Sequence, residues 1–409
     1  MTHGNTIGGP APGAAVTPEV PVRDGLLRPA TSRLPSLTGL RFPAALLVFL
    51  NHSGLPFPGL RLLKDNETTH DWFELTRNAG SLGVTFFFVL SGFVLTWSAR
   101  ETDTTRAFWR RRFVKIYPNY VITWVLAMVL FASAYTPTRT AVANLFMVQV
   151  WVPKFDVFSS VNTPSWSLGC ELVFYACFPL LLTLFRRIPV ERLKYWIGAL
   201  VALVIATPTI TYAVFPDKPY FPGGEQLGAH ATVTQYWFAY FLPPVRMVDF
   251  ALGMLVALAV IKGRWWNIGM LWSTGLLVGG YVLASHVPFL YSQRSTTIVP
   301  IVFLIAAAAT ADVKGTVSPF RNRTMVWLGE ISFAFYLVHF IVLTYGRKWL
   351  GHDFYSTAET VGLLSAMFAV SVLAAWALYA LVERPITRGW SRPRRQGAAT
   401  GAKPLAGAE

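Results

Sequence analysis

The chain has 409 residues, 54% of them hydrophobic and 13% charged, with a formal net charge of +15. An ordinary soluble domain carries roughly 25% charged residues, so a water-soluble globular protein is excluded and a membrane-embedded chain is indicated. The basic residues do not form one patch, as nucleic-acid binding would require; they fall in short clusters between apolar runs, the pattern of the positive-inside rule.

Residues 1–35 are rich in Gly, Pro and Ala and carry Arg23, Arg28 and Arg33 without an apolar core, so they read as a flexible tail, not a signal peptide. Residues 389–409 read likewise. Between them, residues 36–388 form one membrane domain. Its apolar stretches, each able to cross ~30 Å of hydrocarbon, are 37–55, 81–99, 113–134, 167–185, 195–215, 244–262, 267–285, 295–311, 325–346 and 360–382. The apolar piece Ala141–Val152 is too short to cross and reads as re-entrant or interfacial. The expected fold is all-α, a polytopic membrane protein of about ten transmembrane helices.

Loop charges orient the chain. With an internal N-terminus, 24 Lys and Arg fall on the inside, Lys115 and Lys262 at span ends among them, nine fall on the outside, and Arg41 and Arg246 remain within spans. Every internal segment except the short 262–266 turn outweighs its external neighbours. The expected location is the plasma membrane, multi-pass, with both termini cytoplasmic.

The first stretch carries the most informative polar pair. Arg41 and His52 are eleven residues apart, three helical turns plus about 20°, so they share one face and stand about 16 Å apart along the axis. An ionisable group facing hydrocarbon costs several kcal/mol, so such a stripe faces protein or water. Alone, Arg41 reads equally as a snorkelling arginine or as an anchor for an anionic group, and His52 as an interfacial histidine or a general base. Glu171, near the outer end of span four and level with His52 in the expected topology, is either an acid orienting a histidine or substrate, or a structural carboxyl.

Other positions have plainer readings. Cys170 and Cys177 lie seven apart on one helix and cannot bridge each other, and Cys170 reads as a small buried hydrophobe. Ser91 and Gly92 fall mid-span, where small residues permit close helix packing. The run Arg110-Arg-Arg-Phe-Val-Lys115 sets topology and binds headgroups, or holds a polyphosphate. Arg246 and Asp249, three apart, read as an intrahelical ion pair. Glu330 and His339, nine apart, lie on opposite faces of span nine and form no unit. The acidic loop Asp65, Glu67, His70, Asp71 and Glu74 lacks metal-ligand spacing and reads as solvated; no metal site is expected, and no phosphate-loop, dinucleotide or zinc motif occurs.

Seven segments in order resemble the acyltransferase-3 family of integral membrane O-acyltransferases. They are Ser36-Leu-Thr-Gly-Leu-Arg41 with His52 eleven residues later; Gly83-Val-Thr-Phe-Phe-Phe-Val-Leu-Ser-Gly-Phe93; Arg111-Arg-Phe-Val-Lys-Ile-Tyr-Pro118; Ser165-Trp-Ser-Leu-Gly-Cys-Glu171; Arg246-Met-Val-Asp-Phe-Ala-Leu-Gly253; Leu328-Gly-Glu-Ile-Ser-Phe-Ala-Phe-Tyr-Leu-Val-His339; and Glu383-Arg-Pro385. One departure is Lys115, where the family usually has Arg; the charge survives but the bidentate fork does not.

The resemblance implies transfer of an acyl group, typically acetyl from acetyl-CoA, to a hydroxyl of a sugar-containing acceptor. Acceptors in the family include macrolide antibiotics, cell-surface polysaccharides and peptidoglycan, and the opening Leu34-Pro-Ser-Leu-Thr-Gly-Leu-Arg-Phe42 looks most like the antibiotic-modifying members. Acyl-CoA is then a co-substrate and no cofactor is bound permanently. On this reading His52 is the general base on the acceptor hydroxyl or on an acyl-carrying intermediate, and Arg41 steadies the donor or the oxyanion. Either the donor arm reaches His52 directly or the acyl group is relayed across. Arg111, Arg112 and Lys115 hold the CoA phosphates. Glu171, the third catalytic candidate, lines the acceptor side with Ser167 or Trp166, and Ser91 and Arg246 also bind substrate. The alternative is a multi-span transporter, which internal repeats would favour; residues 37–190 and 195–383 show none.

Overall fold

A computed structural model describes residues 34–100, 103–221, 223–225 and 228–390. The expected tails therefore lie almost wholly outside the described residues. Each of the ten apolar stretches is a helix. In chain order these are α1 (Pro35–Gly54), α2 (Ala79–Ser98), α3 (Thr105–Leu130), α4 (Trp166–Arg186), α5 (Leu193–Val214), α6 (Pro243–Ile261), α7 (Gly269–Ala284), α8 (Ile298–Lys314), α9 (Arg323–Trp349) and α10 (Thr357–Leu378). Among the described residues no β-sheet forms; the one extended pairing is an isolated bridge between Leu63 and Tyr355.

Seven of these helices, α2 to α6 with α9 and α10, are long and apolar enough to cross a membrane. The other three fall short for different reasons. Helix α1 has 20 residues but contains Arg41, Asn51 and His52, whereas α7 and α8 have only 16 and 17 residues. The short apolar piece around 141–152 falls within a chain of short helices, Thr138–Leu145, Gln149–Trp151, Phe155–Phe158 and Thr163–Ser165.

Helices α1, α2, α6, α8 and α9 form the centre. Most of α6 and α8 is buried on all sides. By contrast, α3, α4, α5, α7 and α10 expose large apolar side chains such as Val129, Leu180, Val214, Leu271 and Leu373, which fits a ring facing hydrocarbon. Close crossings depend on glycine. A Cβ at Gly92 of α2 would collide with the Phe250 carbonyl of α6, and one at Gly253 of α6 with the Val89 carbonyl of α2. The packing role read for the Ser91-Gly92 pair thus belongs to Gly92.

Side-chain caps set the helix starts. Thr104, Asn322 and Ser356 accept N–H groups at the starts of α3, α9 and α10. At the start of α1, Ser36 donates from both N and Oγ to Asp312 at 2.8 and 2.7 Å, tying α1 to the end of α8. Asp65 caps the short helix Asn66–Thr76 through Thr68 N–H at 2.6 Å. That bond holds its carboxyl below the ordinary range.

Candidate active site

Two cavities lie end to end along α1. The first, of about 690 Å³, is lined on α1 by Thr38 and Arg41, on α2 by Ser91, on α3 by Arg112 and Lys115, on α4 by Ser167, Glu171 and Tyr175, and on α9 by Glu330. The second, of about 190 Å³, contains His52 with Asn51, Asn78, Gly80 and Ser81, and aromatic walls that include Trp166, Phe221, Tyr236, Tyr240 and Phe289. Val84 and Tyr336 line both. Tyr336 is fixed at this junction by its hydroxyl, 2.9 Å from Ser167 Oγ and donating to the Pro164 carbonyl at 3.1 Å. The Arg41–His52 stripe therefore runs from a basic cavity to an aromatic one.

In the aromatic cavity His52 has a partner from α9, His339, which the sequence compares only with Glu330. Its Nδ1 lies 2.9 Å from Nε2 of His339, and the two rings stack with centroids 5.1 Å apart. Nδ1 of His339 lies 3.1 Å from the Phe335 carbonyl. A nitrogen facing a carbonyl must donate, and two neutral rings avoid an unpaired charge inside the bilayer. His339 Nε2 is then an acceptor, His52 Nδ1 donates to it, and Nε2 of His52 keeps its lone pair. His339 is fully buried, so it orients His52 from behind. A depth count from the helix starts finds the pair: His52 is 17 residues into α1 and His339 16 into α9, two helices running the same way in the expected topology.

Glu171 lines the basic cavity, not the aromatic one expected from its level with His52. Ser167, Glu171 and Tyr175 recur every fourth residue on one face of α4, and the Tyr175 hydroxyl donates to Glu171 Oε2 at 3.0 Å while lying 3.2 Å from Ser91 Oγ. Trp166, the residue before Ser167 at the start of α4, lines the aromatic cavity and packs obliquely on Tyr240 and Phe241.

A family model described as an acyltransferase domain matches residues 34–380. The chain belongs to the acyltransferase-3 family. Acyltransferase MdmB of Streptomyces mycarofaciens is 40% identical over 378 residues, covering 90% of this chain and 95% of that protein. The peptidoglycan O-acetyltransferase OatA of Listeria monocytogenes is 25% identical over 380 residues, covering 87% of this chain and 56% of that protein. A putative O-acetyltransferase of Staphylococcus aureus (strain COL) is 23% identical over 379 residues, 87% of this chain and 57% of the relative. The chain thus spans little more than half of the latter two. No solved structure matches. The chain is a membrane O-acyltransferase, and the transporter alternative finds no support.

The basic residues of this acyltransferase are not equivalent. Arg41 and Arg112 line the basic cavity and take part in no salt bridge among the described residues. Arg111 is engaged by Asp103 at 2.9 Å. Lys115 reaches the cavity but is held by Glu383 Oε1 at 2.8 Å, and Asn119 Nδ2 donates to the other oxygen at 2.7 Å. Asn119 therefore supplies the second contact that an arginine fork would have made. Arg246 lies wholly buried behind the aromatic wall, its guanidinium 4.8 Å from the ring centres of both Phe88 and Tyr240. It pairs with Asp249 as the spacing predicts, at 3.3 Å, and Asp249 also takes Arg294 at 3.1 Å. Cys170 is buried, its Sγ donating to the Phe241 carbonyl at 3.3 Å.

Proposed function

We propose that this enzyme moves an acyl group, typically acetyl, from acyl-CoA in the basic cavity to a hydroxyl of a sugar-containing acceptor in the aromatic cavity, with His52 as general base. The carrying observation is the hydrogen-bonded line from the Phe335 carbonyl through His339 to His52, which leaves a base facing an aromatic chamber. Aromatic faces suit sugar rings and the apolar surface of a macrolide-type product, and a glycan of the cell surface has the same sugar chemistry. Arg41 and Arg112, with Arg111 and Lys115 at the mouth, would hold the diphosphate and 3′-phosphate of the donor. The pantetheine arm would pass Val84 and Tyr336 to present the thioester carbonyl to His52. Ser91, Ser167 and Glu171 line that path, and Arg246 braces its far wall. The distribution of loop charges supports a plasma-membrane enzyme with both termini and the basic cavity on the cytoplasmic side.

Purified enzyme should cleave acetyl-CoA only when a hydroxyl acceptor is present, and mass spectrometry should find the acetyl mass on the acceptor. Cleavage without any acceptor-dependent product would refute the transfer. Arg112→Gln should raise the apparent KM for acyl-CoA by about tenfold or more, since a charge-assisted hydrogen bond is worth roughly 1.5–3 kcal/mol, and should leave kcat little changed. Unchanged donor dependence would remove Arg112 from phosphate binding.

A further inference from the structure

Unused hydrogen-bond donors collect beside His52, at the N-terminus of α2. Asparagine favours the N-cap because its side-chain oxygen satisfies an open N–H. Asn78 occupies that position yet makes no side-chain capping bond. The first bond of the helix runs from Leu82 N–H to the Asn78 carbonyl, 3.1 Å, so the N–H groups of Ala79, Gly80 and Ser81 have no helical acceptor. Asn78 is only 3% exposed, and its Nδ2 is buried with no hydrogen-bond partner among the described residues.

Asn78, Gly80 and Ser81 belong to the wall of the chamber that holds His52. Gly80 can do so only through its backbone. A Cβ there would collide with Oδ1 of Asn51, the neighbour of His52. Asn51 fastens the two elements together, its Nδ2 donating to the carbonyls of Thr76 and Arg77 at 3.0 and 3.1 Å. No carboxylate lines this cavity among the described residues. Unpaired donors at the positive end of a 20-residue helix, with no competing acid, fit a negatively charged oxygen.

We propose that Asn78 Nδ2 and the first N–H groups of α2 form the oxyanion hole of the acyl transfer. The proposal rests on the reading of His52 as general base. His52 Nε2 takes the proton of the acceptor hydroxyl as the hydroxyl oxygen bonds to the thioester carbonyl carbon. The carbonyl π pair moves onto its oxygen, and that oxyanion accepts from Asn78 and the helix N–H groups. Collapse re-forms C=O and breaks the C–S bond; the thiolate leaves and takes the proton back from the His52 imidazolium. The products are an ester and a free thiol. This moves the oxyanion role away from Arg41, which faces the other cavity.

Asn78→Ala should lower kcat about 10²–10³-fold, the loss seen when one oxyanion donor is removed, with KM for acyl-CoA and acceptor within about threefold. Asn78→Asp keeps the shape but replaces the donor by an anion, and should lose at least as much; it decides the matter if the alanine variant does not accumulate. A phosphonate mimic of the tetrahedral intermediate should lose affinity in step with kcat/KM across the variants. Ser53→Ala, next to His52 but bonded only to the Leu50 carbonyl, should be neutral. Asn78 variants within threefold of normal kcat, or a loss confined to KM with phosphonate binding intact, overturn the oxyanion hole. Should His52→Ala retain turnover while Asn78→Ala does not, the general base is refuted and the hole stands; the reverse refutes the hole alone.

Discussion

His52→Ala should reduce kcat/KM by about 10²–10⁴-fold, the contribution of a positioned acid–base group, while the protein stays inserted and folded. Folding should survive because α1 is fixed by other contacts. Ser36 is anchored to Asp312, and the helix crosses α9 where Gly329 meets the Thr38 carbonyl. The substitution removes one hydrogen bond and a ring stack at a half-buried position. His339→Asn is the informative companion. It leaves His52 in place but removes the ring that selects its tautomer, so kcat should fall by about 10²-fold, the low end for such groups, with donor and acceptor KM little changed. A uniform rise in KM with kcat intact would mean that the pair shapes the cavity and does not move a proton. Near-normal turnover of His52→Ala in a thioester-cleavage assay would sink the general base.

The spans were legible because hydrocarbon imposes a simple rule on the backbone: an apolar stretch must form a helix to satisfy its own hydrogen bonds. All ten expected stretches are helical and seven of them are long and apolar enough to cross a membrane, with ends shifted by up to eight residues, the most at the start of α3. The stripe on α1 was legible for the same reason, since eleven residues return to one face. What the sequence hid were contacts between helices. His339 was compared only with Glu330 on its own helix, although its partner lies 287 residues away. Glu171 was placed by depth alone, and depth does not say which way a helix face turns; it faces Arg41 and the basic cavity. Lys115 reads in sequence as one of a basic run, and nothing there shows its partner Glu383, 268 residues on. Asn78 offered no pattern, because it is informative only as a buried donor without a partner.

Asp249→Asn should destabilise the folded enzyme by about 3–5 kcal/mol, the cost of removing one member of a buried ion group. Asp249 lies between two arginines, Arg246 at 3.3 Å and Arg294 at 3.1 Å, and all three are essentially inaccessible to solvent. The cluster already has one positive charge in excess. That excess is eased by Thr85 Oγ1, which accepts from Arg246 Nη2 at 3.1 Å, by the faces of Phe88 and Tyr240, and by the Val245 carbonyl, 3.2 Å from Arg294 Nη1. Removing the carboxylate leaves two guanidinium groups facing each other with no anion between them. The measurement is thermal unfolding in detergent, with protein yield as a second readout. Adding Arg294→Met to Asp249→Asn should recover much of the loss, because the remaining arginine keeps Thr85 and both rings while the second buried charge is gone. An unchanged unfolding temperature in the single variant would show that water or lipid headgroups reach the cluster. Activity supplies a further discrimination. Arg246 supports Tyr240 from behind, and Tyr240 lines the acceptor chamber, so the double variant should regain stability ahead of acceptor affinity.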